Sequence, residues 1–390
     1  VRKSGDKVRI TAQLIRTVNG YHVWSETWDR ALEDIFDVQD EIAAEVTDQL
    51  KITLLSGPPE AVETDPGAYA LYLQARHLTR QAASDGYEQA IVSLQEALAI
   101  APDYAPAWRQ LGVIYMTQAG RGLRPVEEGY GLGQKATERA LALDPNNALA
   151  HSSMCRIAMS RDQDYATAAM HIEKAISLAP NDVAILTAAA NLAQTLGRVD
   201  TAIALGEYIA ARDPVHPTIH SNLAHSYLIA GRPEAAVASY RTALQLSPGA
   251  IGLHANLGLA LLARGDPIPA LKEIKQEQHE AFRLISESMA YHAVGESEDS
   301  DAVLAEAIEK YGVDWAVNIA SVYAYRAEPE KAFQWLEKAR AYRDPGLIEI
   351  TTDPEFASLH ADPRWSDLLE QIGRSPEQMA AIRFEVALPA

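Results

Sequence analysis

Residues 180–213 read PNDVAILTAAANLAQTLGRVDTAIALGEYIAARD, and residues 214–247 read PVHPTIHSNLAHSYLIAGRPEAAVASYRTALQLS. Each stretch is 34 residues long, begins with proline and contains two runs of apolar residues spaced three or four apart. Such spacing is typical of an amphipathic helix. The sequence therefore predicts a 34-residue repeat of two helices joined by short loops.

The pattern extends in both directions along the chain. Loop prolines recur at Pro102, Pro145, Pro180, Pro214 and Pro248. One small position of the second helix is held by Ala90, Ala168, Ala202, Ala236, Ala270 and Ala332. Seven residues further on, a second small position is held by Ala97, Ala140, Ala175, Ala243 and Ala339. Antiparallel helices approach closely only where both lack bulk, so these alanines predict the contact between the helices of a pair.

Three segments depart from the pattern. Residues 120–133 (GRGLRPVEEGYGLG) contain five glycines and predict an irregular loop between two helices. Residues 284–311 fit the repeat poorly. Near the end, DPEF (353–356) and DPRW (362–365) predict a segment that covers the last apolar face, as helix-pair arrays require.

The first 57 residues follow a different period. Apolar residues alternate from Val8 to Ile15, Asn19-Gly20 suits a tight turn, and residues 21–28 (YHVWSETW) form a second β-rich run. We expect a β-hairpin, followed by an amphipathic helix from Leu32 to Leu55. The chain begins with Val1, so we expect it to start inside a longer protein, with further strands before residue 1.

These features resemble two known families. The repeats over residues 67–345 resemble the tetratricopeptide repeat family. The start is similar to the second half of the TolB-like amino-terminal module, through GDKVRITAQLI, GYHVWSETWDR and LEDIFDVQDEIAAEV. The resemblance implies a bacterial protein in which this module joins a class III nucleotide cyclase domain, or a winged-helix regulator, to a carboxy-terminal array of repeats.

The expected fold class is mainly α: an α-solenoid, a right-handed superhelix of helix pairs, after a small α/β fragment. The expected domains are residues 1–57 as the end of a TolB-like module and 58–66 as a linker. Residues 67–345 form the repeat array, and residues 346–390 form the capping segment and tail.

Composition limits the function. The 390 residues include 53 Asp and Glu against 34 Lys and Arg, a net charge of -19 that disfavours nucleic acid as a partner. The single cysteine excludes an internal disulfide. The sequence contains no run of 18 apolar residues, so it predicts no membrane span. A cytoplasmic location is expected, or a periplasmic one if the parent protein has a membrane span upstream.

No sequence motif predicts catalysis or a cofactor. His216, His220 and His225 are close in sequence, but Pro217 and the five-residue spacing make a metal site an unfavourable interpretation. His151, His220 and His254 share one repeat position and predict half-buried packing residues. Cys155 lies at a small-residue position and predicts a buried structural thiol. We therefore expect no enzyme activity, cofactor or metal.

The remaining candidate site is the inner face of the array, which the first helices line through the fifth and ninth positions of each unit. The candidate residues are Arg109, Ser152, Arg156, Thr187, Asn191, Ser221 and His225. The arginines can pair with a partner's carboxylate, and Asn191 can bond both the amide and the carbonyl of a peptide backbone. The alternative is that these are ordinary solvated residues.

The sequence thus predicts a non-catalytic module for protein–protein recognition or self-association in a larger signalling protein. Two alternatives stay open: the regulatory region of a class III nucleotide cyclase, and the ligand-sensing arm of a winged-helix transcription regulator.

Overall fold

The computed structural model describes residues 2–4, 7–16, 21–31, 64–80, 84–120, 123–342 and 344–388. The chain divides into two compact units. Unit 1 comprises Val1–Gln163 and Lys174–Ile185, and unit 2 comprises Asp164–Glu173 and Leu186–Ala390.

The amino-terminal part forms an antiparallel sheet of β1 (Arg2–Ser4), β2 (Lys7–Arg16) and β3 (Tyr21–Ala31), in that order. Strands β2 and β3 pair along their length, with Ile10 opposite the buried Trp28. The predicted hairpin is confirmed, and β1 is a third strand that the sequence did not indicate. The Asn19-Gly20 turn, the helix expected over residues 32–55 and most of the predicted linker lie outside the described residues.

From residue 66 onward the described chain is mainly helical. The helices that begin each repeat are α1 (Pro66–Arg80), α3 (Ala105–Gly120), α5 (Ala148–Ile157), α7 (Val183–Thr195), α9 (Pro217–Ile229), α11 (Leu253–Arg264), α13 (Glu280–Val294) and α15 (Ala316–Tyr325). Those that follow them are α2 (Ser84–Ile100), α4 (Val126–Leu143), α6 (Tyr165–Leu178), α8 (Val199–Arg212), α10 (Pro233–Leu246), α12 (Pro267–Ile274), α14 (Ser297–Tyr311) and α16 (Pro329–Tyr342). The expected class, a mainly α array of the solenoid type, is confirmed.

The small residues predicted from the repeat are buried in the structure. All eleven alanines of the two small positions expose at most 2 % of their surface. Turns between helices also repeat: Gly197, Gly231 and Gly265 are 34 residues apart and adopt φ between 67° and 89°. That left-handed conformation satisfies the last carbonyls of the preceding helix and favours glycine. Ala327 adopts φ 56° in the turn between α15 and α16, where it lacks that advantage.

The prediction of an irregular loop over residues 120–133 is wrong after residue 125. Helix α4 begins at Val126 and includes Gly129, Gly131 and Gly133. A Cβ at Gly129 would lie 2.7 Å from Cβ of Ala119, and one at Gly133 would lie 2.7 Å from Cγ of Met116. These glycines therefore allow α4 to lie directly against α3. Gly133, seven residues before Ala140, occupies the first small position of its repeat.

The poorly fitting segment is also a regular helix pair, α13 and α14. Ser288 and Ser300 take the positions that alanine holds elsewhere, and each hydroxyl donates to the backbone carbonyl of the other residue. The buried Arg326 guanidinium donates to the Ser288 hydroxyl at 2.8 Å and to Asp301 at 2.7 Å. This pair is joined by hydrogen bonds where other pairs use apolar contact, which explains why the alanine pattern missed it.

Beyond α16 come 3-10 helices at Pro345–Ile348 and Pro354–Leu359, then α17 (Pro363–Gln371) and α18 (Pro376–Ala381). The rings of Phe356 and Trp365 stack 5.7 Å apart and are buried with α15 and α16. Among the residues described, no helix is long and apolar enough to cross a membrane.

Candidate functional site

The predicted inner-face residues divide between the two units. Unit 1 contains Arg109 on α3 and Ser152 and Arg156 on α5. Unit 2 contains Thr187 and Asn191 on α7, and Ser221 and His225 on α9. Asn191 is exposed and the other six are half-buried.

In unit 1, the Arg109 guanidinium donates to the amide oxygen of Gln110 at 3.1 Å. Cys155 lies between Ser152 and Arg156 in sequence but is fully buried, and burial raises the pKa of its thiol to about 12. Because the thiolate is the reactive form, this residue is structural, as predicted.

In unit 2, polar side chains join α7 to α9. The Asn222 amide donates to the side-chain oxygen of Asn191 at 3.2 Å. One turn further along, the Ser226 hydroxyl donates to the side-chain oxygen of Gln194 at 3.0 Å. Asn222 and Ser226 are four residues apart and therefore share one face of α9. We call these four residues the amide ladder.

A small pocket lies beside the amide ladder, between α7, α8 and α9. Its apolar wall includes Ala190, Ala202, Gly206 and Leu223, and all four ladder residues line it together with Thr187. Its volume is about 20 Å³, enough for one water molecule. The small residues create this space, because a Cβ on Gly206 would already lie 2.9 Å from Cδ1 of Leu223.

His225 lies near the carboxy-terminal segment of its own unit. Its Nε2 is 4.0 Å from Oδ1 of Asp353. Burial, together with the charges of Glu355 and Glu349, raises the pKa of Asp353 well above its usual range. Burial also raises the pKa of Glu355, against the influence of His225. The predicted binding residue His225 thus faces an acidic segment of the same chain.

Two of the three histidines that share one repeat position bond to the loop before their own helix. Nε2 of His151 is 3.1 Å from the Pro145 carbonyl, and Nε2 of His220 is 2.8 Å from the Pro214 carbonyl. His254 instead contacts the Glu273 carboxylate at 2.6 Å. Within the described part of the chain, no group of three His, Cys, Asp or Glu side chains is arranged to hold a metal.

The structure brings Thr187 and Asn191 together at the pocket, but it joins them there to Gln194, Asn222 and Ser226 and not to Ser221 or His225. Asn222 and Ser226 each follow a predicted residue by one position. Their four-residue spacing is visible in the sequence. Sequence reasoning missed these two residues because it considered only positions five and nine of each repeat.

Comparison with known proteins clarifies the repeats. Residues 187–251 and 221–267 match the family model of the tetratricopeptide repeat. The matched part of the chain is therefore similar to tetratricopeptide repeats. The match includes α8, α9, α10 and α11 in full, and every residue that lines the pocket.

One curated relative adds information about context. A protein of Rhizobium meliloti (strain 1021), provisionally named adenylate cyclase 3, is 34 % identical over 147 residues. The match covers 35 % of this chain and 25 % of the relative, so the shared region is a quarter of the relative's length.

Solved structures share the fold at low identity. A monomeric mutant of IFIT1 with Gppp-AAAA has a TM-score of 0.55 and 12 % identity, covering 78 % of this chain and 76 % of that one. The human IFIT1 dimer with m7Gppp-AAAA has a TM-score of 0.50 and 12 % identity, covering 79 % and 77 %. These likenesses concern the fold alone.

Proposed function

We propose that the chain is a non-catalytic protein-interaction module that binds an extended segment of a partner protein at the amide ladder of unit 2. The observation that carries this proposal is the exposed carboxamide of Asn191 beside an apolar pocket. Tetratricopeptide repeats support it, because stacked helical repeats form extended binding surfaces.

The chemistry of the ladder suits a peptide backbone. A carboxamide has two donor hydrogens and an acceptor oxygen, so Asn191 and Asn222 can bond a backbone carbonyl and a backbone N–H together. The pocket between α7, α8 and α9 presents an apolar wall to a small apolar side chain of the partner. In unit 1, Arg109 and Arg156 are proposed, separately, to pair with carboxylates of a partner protein.

Nucleic acid is a poorer ligand for this surface. The ladder residues and Thr187 are uncharged, whereas binding to a phosphate backbone depends on Lys and Arg. The chain as a whole has a net charge of -19. We therefore do not propose that this site binds RNA of the kind present in the IFIT1 structures.

The second candidate is a regulatory region of a nucleotide cyclase, and the identity to the Rhizobium meliloti protein favours it. In that case the helical array regulates a catalytic domain elsewhere in the parent protein. We also propose that residues 1–57 are the end of a TolB-like module. The alternative parent protein is a winged-helix transcription regulator. In each, the array supplies recognition and has no catalytic residues of its own.

A selected peptide tests the proposal. A random peptide library is first selected on the immobilised chain, and one bound peptide is then titrated by fluorescence polarisation. The double variant Asn191→Ala/Asn222→Ala is expected to bind about tenfold more weakly, since each hydrogen bond contributes about 0.5–1.5 kcal/mol.

Thr242→Ala is the matched control, because Thr242 on α10 is half-buried and its hydroxyl donates to the Ala238 carbonyl of its own helix. Its affinity should equal that of the wild type. Equal affinity for the double variant and the wild type, with helical content unchanged, would exclude the amide ladder as the binding site.

A further inference from the structure

The last described residues of the chain form an extended strand of peptide against the array. Helix α18 ends at Ala381, and Ile382 has an extended conformation with φ -76° and ψ 114°. The segment that follows has no helix or sheet partner, yet Phe384 exposes only 4 % of its surface. We call residues 382–385 the tail segment.

Arg198 holds the backbone of the tail segment. It lies at the start of α8, and its guanidinium donates to the carbonyl oxygens of both Ile382 and Phe384. In an extended chain, residues two apart present their groups on the same side. The planar guanidinium has several donors in a fixed geometry and can therefore bond both carbonyls at once.

One aromatic side chain anchors the segment. The Arg198 guanidinium lies 5.6 Å from the centre of the Phe384 ring, within the range of a cation–π contact. The N–H of Glu385 donates to the carboxylate of Glu173 on α6 at 3.0 Å. The side chains of Arg383 and Glu385 are 85 % and 80 % exposed, so the alternation places Phe384 inward between them, with Ile382 half-buried on the same side.

The residues before the tail segment are fixed independently. Arg374 is 2 % exposed; it donates to the Thr195 carbonyl at 3.1 Å and lies 4.6 Å from the centre of the Tyr165 ring. A capping box between Ser375 and Gln378 starts α18. Helix α18 and its capping box thus position the tail segment beside Arg198.

From this geometry we propose that Arg198, Glu173 and the buried surface around Phe384 form a second peptide-binding site, which residues 382–385 fill in the isolated chain. Its ligand is an extended peptide with a phenylalanine between two outward-facing polar residues. A partner's peptide of this type binds by displacing the tail segment. The site shares no residue with the amide ladder, so either proposal can fail without the other.

Tethering sets the strength that a competing peptide needs. A segment linked by a short connection has an effective concentration in the millimolar range. A free peptide of the same sequence therefore competes poorly with the tail segment of the wild-type chain. Substituting Phe384, which anchors the tail segment, should make the site available to the free peptide.

Trypsin measures the docking directly. The exposed Arg383 side chain is a cleavage site, but its neighbouring carbonyls are bound to Arg198 and must be released before cleavage. Arg198→Gln should accelerate cleavage after Arg383 at least tenfold in the full chain, as followed by mass spectrometry. Arg212→Gln, at the other end of α8, is the control and should match the wild type, because its guanidinium packs on Tyr208 of its own helix.

Binding in trans tests the site itself. A fluorescent peptide of residues 380–388, AAIRFEVAL, should bind the full-length Phe384→Ala chain at least tenfold more tightly than the wild-type chain. The same peptide with alanine for phenylalanine should not bind. Leu388→Ala, which removes an exposed tail side chain, is the control and should resemble the wild type.

Two results would overturn the proposal: equal trypsin rates for Arg198→Gln and wild type, or no binding of the peptide to the Phe384→Ala chain. Circular dichroism of each variant checks that the helices remain. If Phe384→Ala loses helical content, the trypsin comparison of the arginine variants decides alone, and if Arg198→Gln does so, peptide binding decides.

Discussion

The helix pairs α3–α4 and α9–α10 share the same repeat positions. Different residue types occupy these positions, and the two pairs pack in different ways. Gly112 and Gly133 in the first pair correspond to Ala224 and Ala236 in the second, and Thr137 corresponds to Tyr240. A Cβ on Gly112 would lie 2.7 Å from the Thr137 hydroxyl and 2.9 Å from the Gly133 carbonyl oxygen. In the second pair, Tyr240 is fully buried in a cluster with the two alanines.

The difference shows that neighbouring residues compensate in volume. Where glycine replaces alanine, a small threonine replaces tyrosine, and the facing helix leaves no room for a Cβ, because interiors are packed without voids. In the second pair, the larger tyrosine fills the space, and α9 keeps polar residues available for the amide ladder. Small residues thus determine which helices pair, whereas their neighbours determine how closely.

The largest expected effect concerns the glycines of α4. Gly129→Ala should destabilise the chain by about 1–2 kcal/mol, because the new Cβ would lie 2.8 Å from the Tyr115 carbonyl oxygen and force α3 and α4 apart. Gly131→Ala in the same helix meets no atom within 4 Å. It should stabilise by about 0.5–1 kcal/mol, since alanine is the better helix former.

Urea unfolding followed by circular dichroism measures both variants. The stabilities should differ by about 2 kcal/mol, with Gly129→Ala the lower. If Gly129→Ala also stabilised the chain, the close packing of α4 on α3 would be wrong, and the pairs would not differ as described.

A smaller effect concerns charge beside the second pair. The pKa of Asp353 is raised in the folded state, mainly by burial and also by Glu355 and Glu349, while His225 lies 4.0 Å away. The folded chain therefore binds this proton more tightly than the unfolded chain, and stability falls as pH rises from about 4. Asp353→Asn removes the titration and no capping hydrogen bond, because the Asp353 side chain makes none.

The Asn variant should be more stable than the wild type at pH 7, and the difference should disappear towards pH 4. Denaturant unfolding across this range measures the difference. Ser366→Ala on α17 removes an exposed hydroxyl and no titrating group; as the control, its stability relative to the wild type should not change with pH. A difference that grew towards low pH would contradict a raised pKa for Asp353.

The helix pairs could be predicted from the sequence because alanine at a fixed spacing has one structural meaning in this array. The same rule failed where another residue type served the same purpose. Gly133 allows closer packing than alanine, and Ser288 and Ser300 replace apolar contact with two hydrogen bonds. In both cases the position was predictable and the residue was not.

The candidate surfaces were less predictable, for a different physical reason. Asn191 was selected from its repeat position, and its contact with Asn222 depends on how two helices in sequential repeats face each other. The tail segment depends on a contact between residues 186 positions apart, from Arg198 to Phe384. No local period contains such a contact, so only the folded chain reveals it.

The smallest expected effect concerns the loops that precede α3 and α9. Trp108 and His220 occupy one repeat position; the Trp108 Nε1–H donates to the Pro102 carbonyl at 2.9 Å, and His220 Nε2 lies 2.8 Å from the Pro214 carbonyl. A carbonyl accepts only, so His220 carries its proton on Nε2. In the repeat immediately before that of His220, Leu186 holds this position without such a bond, and Asp182 caps α7 instead. His220→Leu should therefore fold normally but lose about 0.5 kcal/mol in urea unfolding, because the bond is partly solvated and no side chain caps α9.

The control is His216→Ala, which removes an exposed side chain without a capping bond and should lose less stability. A loss as large as that of Gly129→Ala would mean that the histidine supports α9 itself and not only its loop.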